Sequence, residues 1–515
     1  MVAGYWSPCT PLVWNQGFSN LLDGLSESTN PIKAPDVRFS QFRLAFGFSS
    51  ACTLQVYFTI WKSAIFASSL NIGGLLGGLL SARMLSTAGR RFTLLVSCIP
   101  TVLGWLWMYL CSDVIYQNAF PTNLFVFGRL LTGFGAGLCI PSSATYMLEI
   151  SPSKIRGIVG SLPQVGIVTG ICISFFMAMF TLWEQIALIN TIFSSVILIL
   201  VWLLPESPKW LRKAGRFHEA NSISIQLFGI VSGHSADTID LNESITNSET
   251  KQHSLWHYIF PCSLVPSSQQ PQLRMATALM IFQQLTGVNA ILFFAESVCL
   301  IGNAKSPPIC AFSIGFFQMI FTILAAFVIN HVRRKTLLQF SAFIMVIALL
   351  AYSITISETL DPGFVLLGTR QQGVPIILRK LVIPDGFDPV WPSFTAYSYI
   401  DELGQFWIIL FMFGYSFGWG PLPVLISMEL FPVSSRGNAV SAAIAINWIF
   451  AFIITELFEI TGNLINPAIV FVIFSICCLI SMVYVHKYLP ETSDESNGST
   501  LDTISSLSYK SQLSA

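Results

Sequence analysis

Long apolar runs separated by short polar stretches set the pattern of this chain. A membrane-spanning helix needs about twenty mostly apolar residues. Eleven runs qualify: Ala64–Leu80, Phe92–Cys111, Leu130–Leu148, Ile158–Phe180, Ile186–Leu204, Met275–Leu300, Cys310–Ile329, Leu337–Ile356, Phe406–Leu430, Val440–Thr455 and Ala468–Val485. A twelfth, Leu44–Trp61, is separated from the next run only by Lys62 and Ser63. An ordinary connection between helices takes about two to eight residues. The first run is therefore expected to be a degraded but inserted span, continuous or nearly so with Ala64–Leu80 through a sharp bend. The expected fold class is an all-α membrane protein.

Alternate loops fall on opposite sides of a bilayer, and one set holds Arg83, Arg90, Arg91, Lys154, Arg156, Lys209, Arg212, Lys213, Arg216, Lys251, Arg274, Arg333, Arg334, Lys335, Arg436 and Lys487. The positive-inside rule makes that set cytoplasmic. The expected organisation follows: residues 1–43 a polar leader, 44–204 an N-terminal helix bundle, 205–274 a cytoplasmic linker, 275–489 a C-terminal bundle with an extracytosolic loop at 357–405, and 490–515 a cytoplasmic tail. The linker contains SGHSADTIDLNESITNSETKQHS, a polar composition that cannot bury enough apolar surface to order itself fully.

The two bundles repeat one another. After the fourth span stands Glu149-Ile-Ser-Pro152-Ser-Lys-Ile-Arg156-Gly157, and after the tenth Glu429-Leu-Phe-Pro432-Val-Ser-Ser-Arg436-Gly437. Both read E-x-x-P-x-x-x-R-G. Pro205-Glu206-Ser207 closes the sixth span and Pro490-Glu491-Thr492 the last, while Gly89-Arg90-Arg91 and Arg333-Arg334-Lys335 follow corresponding spans. Paired repeats meeting near the bilayer midplane are a transporter architecture.

Composition narrows the function. Of 515 residues 53% are hydrophobic and 10% charged, with 26 basic and 26 acidic side chains, against about 25% charged in soluble domains. The balanced charges lie in loops around spans, which argues against nucleic acid as a partner and for the lipid bilayer. The 11 cysteines show no zinc spacing, and most lie in apolar runs as small hydrophobes; Cys299 and Cys310 flank one loop. The start, MVAGYWSPCTPLVW, lacks the basic and apolar regions of a signal peptide. No nucleophile–base pair, phosphate loop or metal cluster points to an enzyme, and no cofactor is implied.

Three amides stand out in mid-span: Gln283, Gln284 and Asn289. A buried amide costs free energy unless it meets a partner or water. Neutral amides offer donors and acceptors suited to a hydroxyl-rich ligand, although amides also hold helices together. Adjacent residues cannot share one helix face, so Gln283 and Asn289 are expected on nearby faces with Gln284 elsewhere. Gly420-Pro421-Leu422-Pro423 is expected to break the tenth helix, because proline removes donors and clashes one turn back. Gly133 and Gly137, on one helix face, permit close helix contact.

Taken together, Gly89-Arg90-Arg91, Arg129-x-x-x-Gly133-x-x-x-Gly137, the E-x-x-P-x-x-x-R-G pair, Pro205-Glu206-Ser207-Pro208-Lys209, Gln283-Gln284-Leu285-Thr286-Gly287-Val288-Asn289, Gly420-Pro421-Leu422-Pro423, Asn447-Trp448 and Pro490-Glu491-Thr492 resemble the sugar-porter branch of the major facilitator superfamily, and within it the facilitative hexose transporters. The resemblance runs from Ala64 to Thr492. It implies a major facilitator fold of two six-helix bundles, here with a degraded or missing first span. It also implies a sugar site at Gln164, Gln283, Gln284, Asn289, Gln318 and Asn447, with the Trp448 indole as a wall. Ile167 and Ile171, one turn apart near Gln164, would line its apolar side. A cytoplasmic gate is implied at Arg90, Arg91, Glu149, Arg156, Glu206, Arg334, Glu429, Arg436 and Glu491, whose charges would pair across the two bundles.

Several positions depart from that family. Ser86-Thr87 replaces the D/N-R before G-R-R, and Arg333 replaces the glycine of its second copy. Val424 stands in place of the tryptophan of glucose-selective members, Ser416 in place of their glutamate, Ala451 in place of a second asparagine, and Gln318 in place of an asparagine. Met280-Ile281-Phe282 replaces Gln-Leu-Ser. The surviving amides indicate a hexose or similar polyol, and the losses weaken the case for D-glucose. Proton-coupled relatives carry an acid in the first span, and Leu44 to Leu80 contains none, so uniport is expected, at the plasma membrane with a cytoplasmic C-terminus. A sugar sensor that does not transport, or a carrier of another solute such as urate, are the competing readings.

Overall fold

The computed structural model describes residues 60–116, 123–152, 155–228, 265–302, 304, 306–360, 392–464 and 466–490. Among these, secondary structure is helical throughout. The leader, residues 44–59 of the expected first span, most of the linker and of the 357–405 loop, and the tail with Glu491 lie outside the described residues.

The N-terminal bundle comprises α1 (Ile60–Thr87), α2 (Arg90–Tyr116), α3 (Asn123–Ile150), α4 (Arg156–Ala178) and α5 (Trp183–Trp202). Two short helices, α6 (Pro208–Lys213) and α7 (Phe217–Phe228), follow it. The C-terminal bundle holds α8 (Gln270–Leu285), α9 (Val288–Phe293), α10 (Ala295–Ile301), α11 (Pro307–Val328), α12 (Arg334–Leu360), α13 (Pro392–Phe417), α14 (Leu422–Glu429), α15 (Val433–Leu464) and α16 (Pro467–Tyr488). Ten helical stretches among the described residues are long and apolar enough to cross a membrane, α13 and α14 counting together as one. Many large apolar side chains on them, including Leu110, Ile199, Phe327 and Val483, are exposed, which is the surface a helix presents to lipid rather than to water.

Lys62 and Ser63 do not form a turn. Both lie inside α1, whose first described residue is Ile60. The single span expected over Met275–Leu300 is three helices. Its first break falls at Thr286-Gly287, where Gly287 adopts φ +82°, a left-handed conformation that glycine accepts without steric cost. A side chain there would also strike the Phe474 ring at 2.3 Å. The second break falls at Phe294. Breaks of this kind are tolerated at membrane depth only where protein or a cavity satisfies the freed backbone.

Backbone contact fixes α1 against α3. A Cβ on Gly133 or Gly137 would stand 2.1 Å from the carbonyl oxygens of Leu70 and Gly74, and one on Gly73 or Gly77 would meet those of Leu130 and Phe134 at 2.1 and 2.2 Å. Small residues on both helices let the backbones meet, and van der Waals packing replaces the hydrophobic drive that lipid removes.

The bundles meet along two antiparallel seams, α1 with α15 and α4 with α11. On the first, Ser81 Oγ donates to Ser441 Oγ at 2.9 Å, Asn71 Nδ2 lies 3.5 Å from Thr455 Oγ1, and the Ser68 hydroxyl donates to Glu456. On the second, Gly315 packs on Phe175 and Phe176 on Phe312, with ring centroids 5.6 Å apart. Cys299 at the end of α10 and Cys310 in the first turn of α11 form a disulfide.

Candidate substrate cavity and charged helix ends

A cavity of about 60 Å³ lies between the bundles, room for several waters at the roughly 10–15 Å³ that one requires. All nine residues nominated from the sequence for sugar contact line it: Gln164, Ile167 and Ile171 from α4, Gln283 and Gln284 from α8, Asn289 from α9, Gln318 from α11, and Asn447 and Trp448 from α15. With 1.5 Å of rise per residue, Gln164 stands about 12 Å from the start of a helix about 34 Å long, so the cavity lies near mid-depth.

Four of the amides form one chain of hydrogen bonds. Asn289 Nδ2 donates to Gln284 Oε1 at 2.7 Å, and Gln284 Nε2 donates to Asn447 Oδ1 at 3.0 Å. Asn447 Nδ2 donates in turn to Gln283 Oε1 at 2.9 Å and to the Met280 carbonyl at 3.0 Å. Gln283 Nε2 ends the chain on the carbonyls of Trp419 and Gly420, at 2.8 and 3.0 Å. Gln283 and Gln284, adjacent in α8, do not share one face, yet both line the cavity. Neighbouring residues point about 100° apart, and Asn447 enters from α15 between them, accepting from one and donating to the other. The Asn289 contact spans five residues, which the break at Gly287 allows.

The end of the chain has a local cause. Helix α13 stops at Phe417 and α14 begins at Leu422, as Gly420-Pro421-Leu422-Pro423 leads one to expect. In an unbroken helix the Trp419 carbonyl would accept from the N–H four residues on, but residue 423 is proline and has none. The Gln283 amide supplies that missing donor from another helix. Gln318 is 1% exposed, and its Oε1 has no hydrogen-bond partner among the described residues, leaving an acceptor in the cavity wall. Ser416 does not reach the cavity lining; its hydroxyl donates to the Gln318 backbone carbonyl at 3.4 Å.

Met280, Gly420, Pro421 and Val424, singled out in the sequence as family positions, also line the cavity, whereas Ile140, Ala144, Gly160, Pro163, Leu292, Tyr415 and Ile444 escaped the sequence reading. Gly160 lies four residues before Gln164 and Pro163 four before Ile167, on the same side of α4, so helical spacing from the two nominated residues would have found both. Tyr415 and Leu292 carry no such signal.

Among the described residues, the recorded ion pairs of the expected gate join helices within a bundle. Arg90 Nη2 donates to Glu149 Oε1 at 2.7 Å, with side-chain exposures of 6% and 1%, and both residues belong to the N-terminal bundle. Arg334 Nε and Nη2 donate to Glu429 Oε1 at 3.1 and 2.8 Å within the C-terminal bundle. These two pairs occupy equivalent places in the two repeats. Glu206 caps the start of α2, accepting from the N–H groups of Arg90 and Arg91 at 2.9 and 3.2 Å, where a helix N-terminus favours negative charge. Gly89, at φ +100°, turns the chain there, and a Cβ on it would strike the Glu206 carboxylate at 2.5 Å. Arg91 reaches the Trp202 carbonyl, and Arg436 the Phe431 carbonyl at 3.1 Å. Each of these recorded contacts joins helices of one bundle, because donor and acceptor lie on adjacent helix ends. The Arg156 side chain lies outside the described residues.

Residues 35–368 and 398–505 match the family model described as sugar (and other) transporter. The chain is 26% identical over 481 residues to the sugar transporter ERD6-like 6 of Arabidopsis thaliana, covering 91% of this chain and 87% of that protein. It is 27% identical over 443 residues to the mouse (Mus musculus) solute carrier family 2, facilitated glucose transporter member 8, covering 85% and 84%. Among solved structures it resembles the major facilitator superfamily proton:xylose symporter XylE bound to 6-bromo-6-deoxy-D-glucose, with a TM-score of 0.65 and 19% identity over 84% of this chain and 87% of that one. That likeness establishes the fold. The chain is an integral, multi-pass membrane protein and not an enzyme, and it belongs to the sugar (and other) transporter family of the major facilitator fold.

Proposed function

We propose that this protein is a facilitative uniporter of a hexose or similar polyol, which it carries by alternating access of the inter-bundle cavity to the two sides of the membrane. The observation that carries the reading is the chain of neutral amides from Asn289 to Gln283, closed on backbone carbonyls and lining a cavity shared by both bundles. A ligand with many hydroxyls can exchange with each of these bonds at little net cost, because each amide both donates and accepts. A charged solute would leave the neutral amides poorly matched. Ile167, Ile171 and Trp448 supply the apolar wall against which a sugar ring packs.

The seams of Ser, Thr, Gly and aromatic residues are the surfaces on which the bundles would rock. The ion pairs at the helix ends act in this reading as rigid braces that let each bundle move as a body. The basic loops favour a cytosolic C-terminus, and the Cys299–Cys310 disulfide would then lie on the opposite, oxidising side, which supports that orientation.

Uptake of labelled glucose, fructose, inositol and urate into proteoliposomes tests the proposal. Saturable entry of a hexose or inositol that needs no proton gradient is expected. Entry only with an imposed proton gradient would overturn uniport, and entry of urate alone would overturn the sugar reading.

A further expectation concerns selectivity. Val424 lines the cavity beside Gly420 and Pro421, so Val424→Trp places an aromatic face against a pyranose ring. Stacking of this kind contributes about 0.5–1.5 kcal/mol. The glucose-to-fructose uptake ratio should rise severalfold; an unchanged ratio would remove residue 424 from substrate selection.

A further inference from the structure

Helix α1 is held on two sides by glycines. On the α3 side, backbone touches backbone at Gly73, Gly77, Gly133 and Gly137, so α1 has no room to retreat in that direction. On the α15 side, a Cβ at Gly74 would stand 2.5 Å from Trp448 Cδ2, 2.6 Å from Cε2 and 2.8 Å from Cε3. Two of these atoms form the fusion bond of the indole and the third adjoins it, so the ring lies face-on over the Gly74 Cα. Gly78, one turn along, is 3.7 Å from Cδ1 by the same construction and in ordinary contact. Trp448 is 2% exposed, and it lines the cavity next to Asn447.

We propose that Gly74 is a positioning residue for the substrate wall: the bare backbone lets the Trp448 indole recess into α1, and the depth of that recess sets the width of the cavity. This rests on the reading of the cavity as the sugar site. A methyl group at position 74 needs about 0.9 Å more space, the difference between 2.5 Å and an ordinary contact of 3.4 Å. Helix α1 cannot yield toward α3, and the space open to the indole is the cavity it lines. The ring therefore advances into the site, and larger ligands lose more than smaller ones. Steric discrimination on the scale of one methylene is typically about 10- to 200-fold.

The test is a cycle of Gly74→Ala and Trp448→Leu, with binding of xylose, glucose and maltose and thermal unfolding measured for every variant. Gly74→Ala should weaken glucose and maltose about tenfold or more while xylose changes less than threefold. In the Trp448→Leu background the same alanine should leave the order of the three sugars unchanged. Gly73→Ala, whose Cβ meets the Leu130 carbonyl instead, should lower the melting temperature in both backgrounds without altering that order. If Gly74→Ala fails to fold, the double variant should recover the folded state. Equal destabilisation by Gly74→Ala in both backgrounds, or an unchanged sugar order in the wild-type background, would overturn the proposal. A wild-type protein that binds none of the three sugars would sink the sugar reading, and the melting cycle would still decide the Gly74 contact.

Discussion

Replacing Asn447 by alanine should cost more ligand affinity than replacing Asn289. Asn447 makes three hydrogen bonds, to Gln284, Gln283 and the Met280 carbonyl. Its removal strands Gln284 Nε2 and Gln283 Oε1 on side chains that are only 4% and 6% exposed. A buried polar group left without its partner costs about 1–3 kcal/mol, and the bound geometry of both glutamines is lost with it. Carriers that bind at about millimolar have about 4 kcal/mol of binding free energy available. Half-saturation is therefore expected to rise at least tenfold in Asn447→Ala. Asn289→Ala removes one bond at the end of the chain, worth about 0.5–1.5 kcal/mol, and should have the smaller effect. Measuring half-saturation for the two variants side by side checks the order. Equal and small effects would mean that the amides hold helices together and do not form the site.

The largest loss of stability is expected from Arg90→Ala. It leaves the Glu149 carboxylate, whose side chain is 1% exposed, with the Ser207 hydroxyl and no arginine. Removing one partner of a buried ion pair typically costs about 3–5 kcal/mol, because the other charge stays buried. Glu149→Gln is milder, since an amide oxygen still accepts from Arg90. The exposed pair Arg216–Glu219, at 53% and 51% exposure, provides the contrast: such pairs contribute about 0–1 kcal/mol. Thermal unfolding of the purified protein in detergent should therefore rank Arg90→Ala well below Arg216→Ala. A ranking in which the two are alike would show that the charges near Arg90 are hydrated.

Salt bridges that formed and broke between bundles would act as a latch, strong in one state and absent in the other. The recorded pairs Arg90–Glu149 and Arg334–Glu429 each lie within one bundle, where they brace its helix ends. Among the described contacts, those between bundles are mostly of another kind: serine hydroxyls, one of them donating to the Glu456 carboxylate, an amide, a glycine-seated indole and tilted aromatic rings. Such contacts are weak singly and slide with little desolvation cost, as a surface between rocking bodies requires.

By itself the sequence determined ten of the spans, because the need to bury backbone groups in lipid makes length and apolarity local signals; the run Met275–Leu300 it read as one helix where the structure has three. It determined the break at Gly420–Pro423 for the same reason: proline acts on its own helix. It also pointed to the amides, since an amide in an apolar run is costly wherever the run folds. Tertiary structure decided the rest. What the break at Gly287 packs against, the Phe474 ring, was decided by the fold, because Phe474 is nearly two hundred positions away. Gln283 and Gln284 share a cavity only because Asn447 arrives from α15 to bridge them. Arg90 faces Glu149 within its bundle because α2 starts beside the end of α3, a proximity that no loop motif encodes. Gly74 gave no sign in the sequence of anything beyond close packing, because what it touches is chosen by α15. Spacing fixes which residues share a face, and packing alone fixes what that face meets.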